Sequence, residues 1–298
     1  MNSEAPTARV NGGVADLAAA PVTIIRPPKG WAGLDLAELW RYRELFGFLV
    51  WRDIKVRYKQ TLLGFAWAIL VPVSYTVVFT VFFGNMAKLP TDNLQKSVFY
   101  MAGLVIFKYF TTALSNCSNS LVGNQALLTK IYLPRLIIPG STVIAGLVEL
   151  AVAMAFLFVL MLYYHIIPAL TSLLLPLLIA VAMGTALGVG LVFAALNVKY
   201  RDVRELVPFL TQLWMYCTVI VPFSRIPERL GAWRYLYGLN PMAGVVEGFR
   251  WCLAHHAMSA TAEPPWRLLC VGTPVMAIVL FMGLYYFKRV ERQFADII

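Results

Sequence analysis

Charged side chains are scarce in this sequence. Asp, Glu, Lys and Arg make up 13% of its 298 residues, whereas they make up about a quarter of a typical soluble domain. Apolar residue types account for 60%, and the mean hydropathy is +0.71. No charge occurs from Thr61 to Ala87 or from Leu150 to Val198. This shortage of charge excludes an ordinary soluble globular protein and predicts a membrane protein.

The sequence also lacks the motifs of nucleotide hydrolysis and of several hydrolases. No Gly is followed by Lys, so the phosphate-binding loop GxxxxGK[ST] is absent. The motifs HExxH and GxSxG are absent as well, and no two carboxylates share one apolar environment. We therefore expect no catalytic residue in this chain.

The four cysteines form no CxxC motif and indicate no disulfide framework. Cys252 lies near His255 and His256, but no second group of ligands accompanies them. We expect structural roles for these residues, with no metal site and no cofactor in this chain.

Long apolar runs are what the sequence does contain. A helix of about 20 apolar residues crosses a bilayer core, and the runs lack the alternation of a β-barrel. The run from Leu150 to Val198 is too long for one crossing, and Pro168 predicts a turn within it. The sequence therefore predicts an all-α integral membrane protein with six transmembrane helices, at about residues 64–86, 98–122, 138–164, 171–196, 206–222 and 268–288.

Basic residues predict the orientation of these spans. Cytoplasmic loops carry an excess of Lys and Arg, and 17 of the 25 Lys and Arg residues are cytoplasmic if both termini are. The stretch 223–267 would be external in this arrangement although it is basic, so it does not follow the excess of Lys and Arg in cytoplasmic loops. We therefore attribute the net charge of +10 to basic residues that orient the spans in a lipid bilayer, and we expect no nucleic-acid binding.

Three regions follow along the chain. Residues 1–33 are expected to form a flexible cytoplasmic tail, residues 34–60 an amphipathic helix at the cytoplasmic interface, and residues 61–298 the transmembrane domain. Between spans five and six, about residues 227–238 and 241–256 are each too short to cross. Asn240-Pro241 is a helix-start signal, so we predict two short re-entrant external helices here.

Charges and aromatics within the spans admit two interpretations. Lys108 in span two and Glu149 in span three are costly in lipid, so they face the bundle interior, a partner or water. They are either a structural pair or transport residues. The dense aromatics are explained by bundle packing, or in part by a path on which sugar rings stack.

Two cytoplasmic stretches are also open to two interpretations. The stretch NVKYRDVREL carries five charges between two uncharged runs, and it is either a topology anchor or a contact with a partner. In LLTKIYLPRLIIP, Lys130 and Arg135 stand among bulky apolar residues. That stretch is either a docking surface for another protein or a helix end buried against the bundle.

Four stretches follow one another along the chain in an order and at intervals that are typical of one family. They are LVWRDIKVRYKQTLLGFAWAILVP, KIYLPRLIIP, NVKYRDVR and LNPMAGVVEGFRW. Over about residues 35–298 the chain resembles the membrane subunit of ATP-binding-cassette exporters for polysaccharides, the O-antigen, capsule and teichoic-acid group of the ABC-2 type permeases. The resemblance implies a multi-pass permease of the bacterial inner membrane that exports a lipid-linked glycan from the cytoplasm. It also implies a homodimer of this chain, joined to two copies of a separate ATPase subunit that binds ATP and Mg.

The resemblance also implies functional residues. The segment between spans two and three would couple to the ATPase, and we add the charges of the 4–5 turn: Leu127, Leu128, Lys130, Ile131, Tyr132, Pro134, Arg135, Arg201, Asp202 and Arg204. A channel between two permeases would be lined by Trp67, Tyr75, Phe79, Phe107, Lys108, Tyr109, Trp214 and Tyr216. The short external helices would form a gate that includes Asn240, Pro241, Glu247 and Arg250.

The chain departs from the family pattern in two places. The usual Ser/Ala-Pro-Val-x-Tyr-Pro run at the end of span five is replaced by the residues from Cys217 to Pro222. The usual Pro-Trp early in span two is Ile106-Phe107 here, followed by Lys108. Lys108 therefore suggests contact with an anionic glycan or a pyrophosphate linker.

Rival functions follow from the same sequence. They are an ABC-2 permease for a drug or lipid, a membrane-bound glycosyltransferase or acyltransferase, and an ion-coupled carrier. The carrier would need internal repeats and several buried acids, and the sequence shows no repeat.

Overall fold

A computed structural model describes residues 40–59, 66–130, 133–220, 223, 234, 236–258 and 264–291. The predicted tail 1–33 lies outside the described residues, as do residues 34–39 of the predicted interface helix and the coupling residues Ile131 and Tyr132. Within the described ranges all regular structure is helical, which confirms the all-α prediction.

Nine α-helices lie in the described ranges, and we number them in chain order. They are α1 (Arg43–Lys59), α2 (Ala66–Phe79), α3 (Lys96–Gly123), α4 (Gln125–Lys130), α5 (Ile137–Tyr163), α6 (Leu175–Lys199), α7 (Val203–Val219), α8 (Pro241–Ala254) and α9 (Trp266–Val290). A π-helical segment, Thr80–Met86, extends α2. Short 3-10 helices precede α6 at Leu170–Leu174 and follow α8 at His255–Ala257.

Five helical segments of the described chain are long and apolar enough to cross a bilayer: Ala66–Met86, Lys96–Gly123, Ile137–Tyr163, Leu170–Lys199 and Trp266–Val290. They coincide with predicted spans one to four and six, so the chain is a multi-pass membrane protein. The predicted turn at Pro168 is confirmed, because α5 and α6 are separate helices.

Predicted span five coincides with α7, which has 17 residues. At 1.5 Å per residue α7 is about 26 Å long, slightly less than a bilayer core. The count of six spans therefore stays a prediction, as do the two re-entrant helices, of which only α8 is described as an α-helix.

Helix α3 is the centre of the bundle. It packs against α2, α5, α6, α7 and α8, and every residue from Val98 to Phe107 is buried. Because α3 touches all these helices, any group that it carries at mid-length is placed between several partners. This position decides the surroundings of Lys108 and of Gly103.

Small residues set the closest helix contacts. A Cβ added to Gly283 of α9 would overlap the carbonyl oxygen of Gly188 in α6. A Cβ added to Gly190 of α6 would lie 2.6 Å from the Sγ of Cys117 in α3. Without a hydrophobic driving force between helices in lipid, such close backbone approach is a main source of association.

Helix α1 is attached to the bundle by one apolar side. Leu49 is buried in a cluster with Ile137 and Ile138 at the start of α5, whereas Phe48 and Trp51 are exposed. Exposed aromatics beside polar groups are typical of a helix at a membrane interface. The amphipathic interface helix at residues 34–60 stays a prediction.

Candidate functional site: the Arg250 cluster and the Lys108 cavity

Two polar features of the described bundle are candidates for a functional site. The first is built around Arg250 of α8, whose side chain is 0% exposed. Its Nη1 donates to Glu247 Oε1 at 3.1 Å, its Nη2 to the Val219 carbonyl at 2.6 Å, and its Nε to the Phe99 carbonyl at 3.2 Å. The guanidinium also lies 3.7 Å from the centre of the Phe99 ring. We call Glu247, Arg250 and these contacts the Arg250 cluster.

The Arg250 cluster joins three helices. Glu247 and Arg250 are three residues apart, so they face the same side of α8. Arg250 binds carbonyls of α3 and of the last residue of α7, and Glu247 Oε1 accepts a hydrogen bond of 3.1 Å from the Phe223 amide. Desolvation raises the pKa of Glu247, while the nearby Arg250 charge and the Phe223 amide act in the opposite direction. A buried pair satisfied in this way holds its helices in one arrangement.

Space for this guanidinium is provided by Gly103 of α3. A Cβ at this position would lie 2.7 Å from Arg250 Nη2 and 3.2 Å from Arg250 Cζ. Any larger side chain would push the guanidinium away from the carbonyls that it binds. Gly103 was not singled out from the sequence, because nothing local to it indicates the approach of α8.

Asn240 ties the start of α8 to α7. Its Oδ1 accepts hydrogen bonds from the Met242 amide at 3.1 Å and from Trp214 Nε1 at 2.8 Å, and its Nδ2 donates to Thr218 Oγ1 at 2.8 Å. Pro241 follows at the first helical position, where its missing N–H is no loss. The four residues predicted for the gate thus lie on α8 and its N-terminal cap.

The second feature is a cavity of about 300 Å³ between α2, α3 and α7. Its wall includes Tyr75, Phe107, Lys108, Thr111 and Gln212, and we call it the Lys108 cavity. Of the eight predicted channel residues, this cavity brings together Tyr75, Phe107 and Lys108.

The other five predicted channel residues lie apart from the cavity. Phe79 and Tyr109 are buried in the bundle core, and Tyr109 donates to the Val143 carbonyl at 3.3 Å. Trp214 is half-buried and meets the Phe110 ring edge-on at 4.9 Å between centres. Trp67 and Tyr216 are exposed on the surface of the described chain.

The predicted coupling segment combines buried and exposed residues. Leu127 and Leu128 pack partly against the bundle, and Arg135 Nη1 donates to the Glu291 carbonyl. Lys130 is exposed, and Pro134 is half-buried. This stretch therefore has both packed and exposed side chains, and its role as a docking surface stays a prediction.

The 4–5 turn is exposed. Arg201 and Asp202 lie on the surface between α6 and α7, and Arg204 is exposed in the first turn of α7. The Asp202 carbonyl accepts hydrogen bonds from the Glu205 and Leu206 amides and so begins α7. The three charged side chains are therefore available to a partner.

A polar network between α1 and the bundle was not foreseen. Glu149 pairs with Arg57 of α1 at 2.8 Å rather than with Lys108. Arg52 donates to Asp53 Oδ1 and to Asn124 Oδ1, each at 2.8 Å. The Arg57–Glu149 and Arg52–Asn124 contacts join residues more than 70 positions apart, and no local pattern in the sequence indicates them.

Comparison with known proteins identifies the family. The model of the ABC-2 type transporter family matches residues 44–254. The O-antigen export system permease protein RfbA of Myxococcus xanthus is 28% identical over 261 residues, which is 87% of this chain and 97% of that protein. A protein of the same name from Klebsiella pneumoniae is 28% identical over 253 residues, covering 83% of this chain and 92% of that protein. The polysialic acid transport protein KpsM of Escherichia coli is 27% identical over 205 residues, covering 66% and 76%. This chain therefore belongs to the ABC-2 type transporter family.

Proposed function

We propose that this chain is the membrane subunit of an ATP-driven exporter that moves a lipid-linked polysaccharide, similar to O-antigen, from the cytoplasm across the bacterial inner membrane. The observation that carries the proposal is similarity along nearly the whole of an O-antigen export permease, 97% of whose length is covered. Similarity of this extent covers 87% of this chain rather than one shared motif.

Energy for this transport would come from a separate subunit. The sequence has no GxxxxGK[ST] loop, so ATP and Mg would be bound by a partner ATPase. We propose a homodimer of this chain with two ATPase copies. The exposed Lys130, Arg201 and Arg204 and the partly buried α4 would face the ATPase, with Ile131 and Tyr132 beside them.

Orientation and span count complete the proposal. Both termini would be cytoplasmic, α7 would be the fifth of six spans, and α8 would lie in a re-entrant pair at the external face. The Arg250 cluster supports a gate role for α8, since it fixes α8 to α3 and α7. The glycan would pass between two permease copies, beside the exposed aromatics Trp67, Tyr75 and Tyr216.

Two rival functions make different predictions. A permease for a drug or lipid would share this fold, but its loss would leave surface polysaccharide unchanged. A membrane-bound glycosyltransferase would need a cluster of acidic or His side chains at one membrane face. Among the described residues Asp92 and Glu247 are buried carboxylates, and Glu247 is paired with Arg250.

The test uses a strain from which the gene is deleted. Surface polysaccharide is measured with antibody, and lipid-linked glycan is extracted from the cytoplasmic side of the membrane. The proposal predicts loss at the surface with accumulation inside, and rescue by the wild-type chain. Loss in both places would instead indicate a synthetic enzyme, and an unchanged surface would indicate another substrate.

A further inference from the structure

The Lys108 cavity contains a positive charge that the described part of the chain does not neutralise. Lys108 lies about 18 Å along α3 from Lys96, since an α-helix rises 1.5 Å per residue, and α3 is one of the candidate spans. Its side chain is half-buried. No described residue forms an ion pair or hydrogen bond with its ammonium group.

No carboxylate of the described residues pairs with this ammonium group. None of the described residues that line the cavity is Asp or Glu. Glu149 is paired with Arg57, and Glu247 with Arg250. An ammonium group within a membrane span is costly unless it meets water or an opposite charge. The described chain supplies no opposite charge here, so this ammonium group is met by water or by a ligand.

The other polar groups of the cavity suit the same kind of ligand. The Gln212 amide and the Tyr75 hydroxyl also have no hydrogen-bond partner among the described residues, and both line the cavity. Thr111 does not add a free donor, because its hydroxyl donates to the Lys108 carbonyl at 3.0 Å. One cation and two neutral donors, with no carboxylate, fit the oxygens of a phosphate or a carboxylate.

Size and access restrict the ligand further. Tyr75 is 43% exposed and Gln212 is also exposed, so the cavity opens at the surface of the described chain. Its volume of about 300 Å³ is at the lower end of the range for ligand pockets. The cavity can therefore hold one charged group or one sugar unit, with the rest of a polymer outside.

We propose that the Lys108 cavity is a binding site for an anionic group of the exported molecule, held by Lys108 with help from Gln212 and Tyr75. The group is either a phosphate of the lipid carrier or a carboxylate of an acidic sugar. This inference rests on the proposed function for the identity of the molecule. The binding of an anion to the cavity does not depend on it.

The test measures binding to the purified full-length chain in phosphatidylcholine nanodiscs. The two probes are farnesyl diphosphate and an oligosaccharide of glucuronic acid, and the variants are Lys108→Gln and Lys108→Arg. Lys96→Gln is the matched control, since it removes a lysine from the same helix outside the cavity. Expression and gel-filtration profile check folding, and Lys108→Gln should insert at least as well because it removes a charge from a span.

We expect one probe to bind the wild-type chain and the Lys96→Gln control equally. Loss of a charged hydrogen bond should weaken the Kd of Lys108→Gln by about tenfold or more, while Lys108→Arg should retain most of the affinity. Binding of the diphosphate assigns the site to the lipid carrier, and binding of the oligosaccharide assigns it to the sugar. Equal affinity in wild type and Lys108→Gln, or no binding of either probe, would overturn the site.

An export assay of the same variants separates this inference from the proposed function. If Lys108→Gln exports glycan normally and neither probe binds, the anion site fails and the proposed function stands. If deletion of the gene leaves surface polysaccharide unchanged, the proposed function fails, and the binding data still decide whether the cavity takes an anion.

Discussion

Arg250 shows how a charge can be stable inside an apolar bundle. Each guanidinium nitrogen has a partner: Glu247, the Phe99 carbonyl or the Val219 carbonyl. The desolvation of both charges is offset only while the pair is complete, and removal of one partner leaves the other charge buried alone.

The first prediction concerns this pair. Arg250→Met should destabilise the chain by about 3–5 kcal/mol, because Glu247 is then buried without its counter-charge. The double variant Arg250→Met/Glu247→Gln should be less destabilised than Arg250→Met alone. Thermal unfolding in detergent can be followed by dye labelling of the buried Cys117 and Cys252, with Cys217 and Cys270 replaced by Ser. Equal stability of the single and double variants would show that the unpaired Glu247 charge does not cause the destabilisation.

The second prediction concerns Gly103. Gly103→Ala places a Cβ 2.7 Å from Arg250 Nη2 and should destabilise the chain by roughly 1–3 kcal/mol, as overpacking does. Gly123→Ala is the control on the same helix, because nothing lies within 4 Å of its added Cβ. The same dye assay applies. A Gly103→Ala chain as stable as the control would mean that the guanidinium can move aside.

The sequence did not reveal which side chains pair with one another. Glu149 and Lys108 could be recognised as unusual charges, because each interrupts an apolar run. Their different surroundings depend on which helices touch. Glu149 meets Arg57 because α1 packs on α5, and this contact spans 92 positions of the chain.

At the scale of elements, the apolar runs predicted the spans because length and hydropathy are local properties. Five runs became helices of sufficient length, and Asn240-Pro241 correctly marked the start of α8. The sequence did not predict the π-helical end of α2, since no residue type is specific for that geometry. The predicted fifth span, residues 206–222, has the same length as α7, which has 17 residues but begins three residues earlier.

The third prediction concerns the attachment of α1. The Arg57–Glu149 pair is partly exposed, so Glu149→Gln should cost about 1 kcal/mol or less and loosen α1 locally. Limited proteolysis within α1 should become faster, with little change in the unfolding of the bundle. The exchanged pair Arg57→Glu/Glu149→Arg should restore the wild-type rate. If the exchange gives no restoration, the ion pair does not hold α1.

The fourth prediction concerns the exposed 4–5 turn. Arg201→Glu combined with Arg204→Glu should lower glycan export while membrane insertion stays normal, because reversed charges repel a complementary partner surface. Lys88→Glu is the control, since Lys88 is exposed and lies at the predicted external face. Export is measured as surface polysaccharide at equal protein level. Normal export by the double variant would refute a coupling role and leave the turn as a topology anchor.

At the scale of the whole molecule, two polar features of the described bundle differ in kind. The Arg250 cluster is complete, with its charges paired and buried. The Lys108 cavity is incomplete, with a cation and two donors that meet no described partner. The Arg250 cluster suits a fixed contact between helices, and the Lys108 cavity suits a site where a ligand supplies the opposite charge.

Family membership also belongs to this scale. The order of four motifs along the sequence resembled the polysaccharide permeases, and the family model confirms ABC-2 membership over residues 44–254. The dimer and the ATPase contacts remain proposals, because one chain contains only one side of each interface.

The central claim is that this chain provides the path for ATP-driven glycan export. Its most direct test uses inverted inner-membrane vesicles that hold the chain, its ATPase and radiolabelled lipid-linked glycan on the outer surface. We expect ATP to move label into the lumen, where glycosidase cannot reach it, and vesicles without the chain to show no such protection. Equal protection with and without the chain, or protection that does not require ATP, would contradict the account.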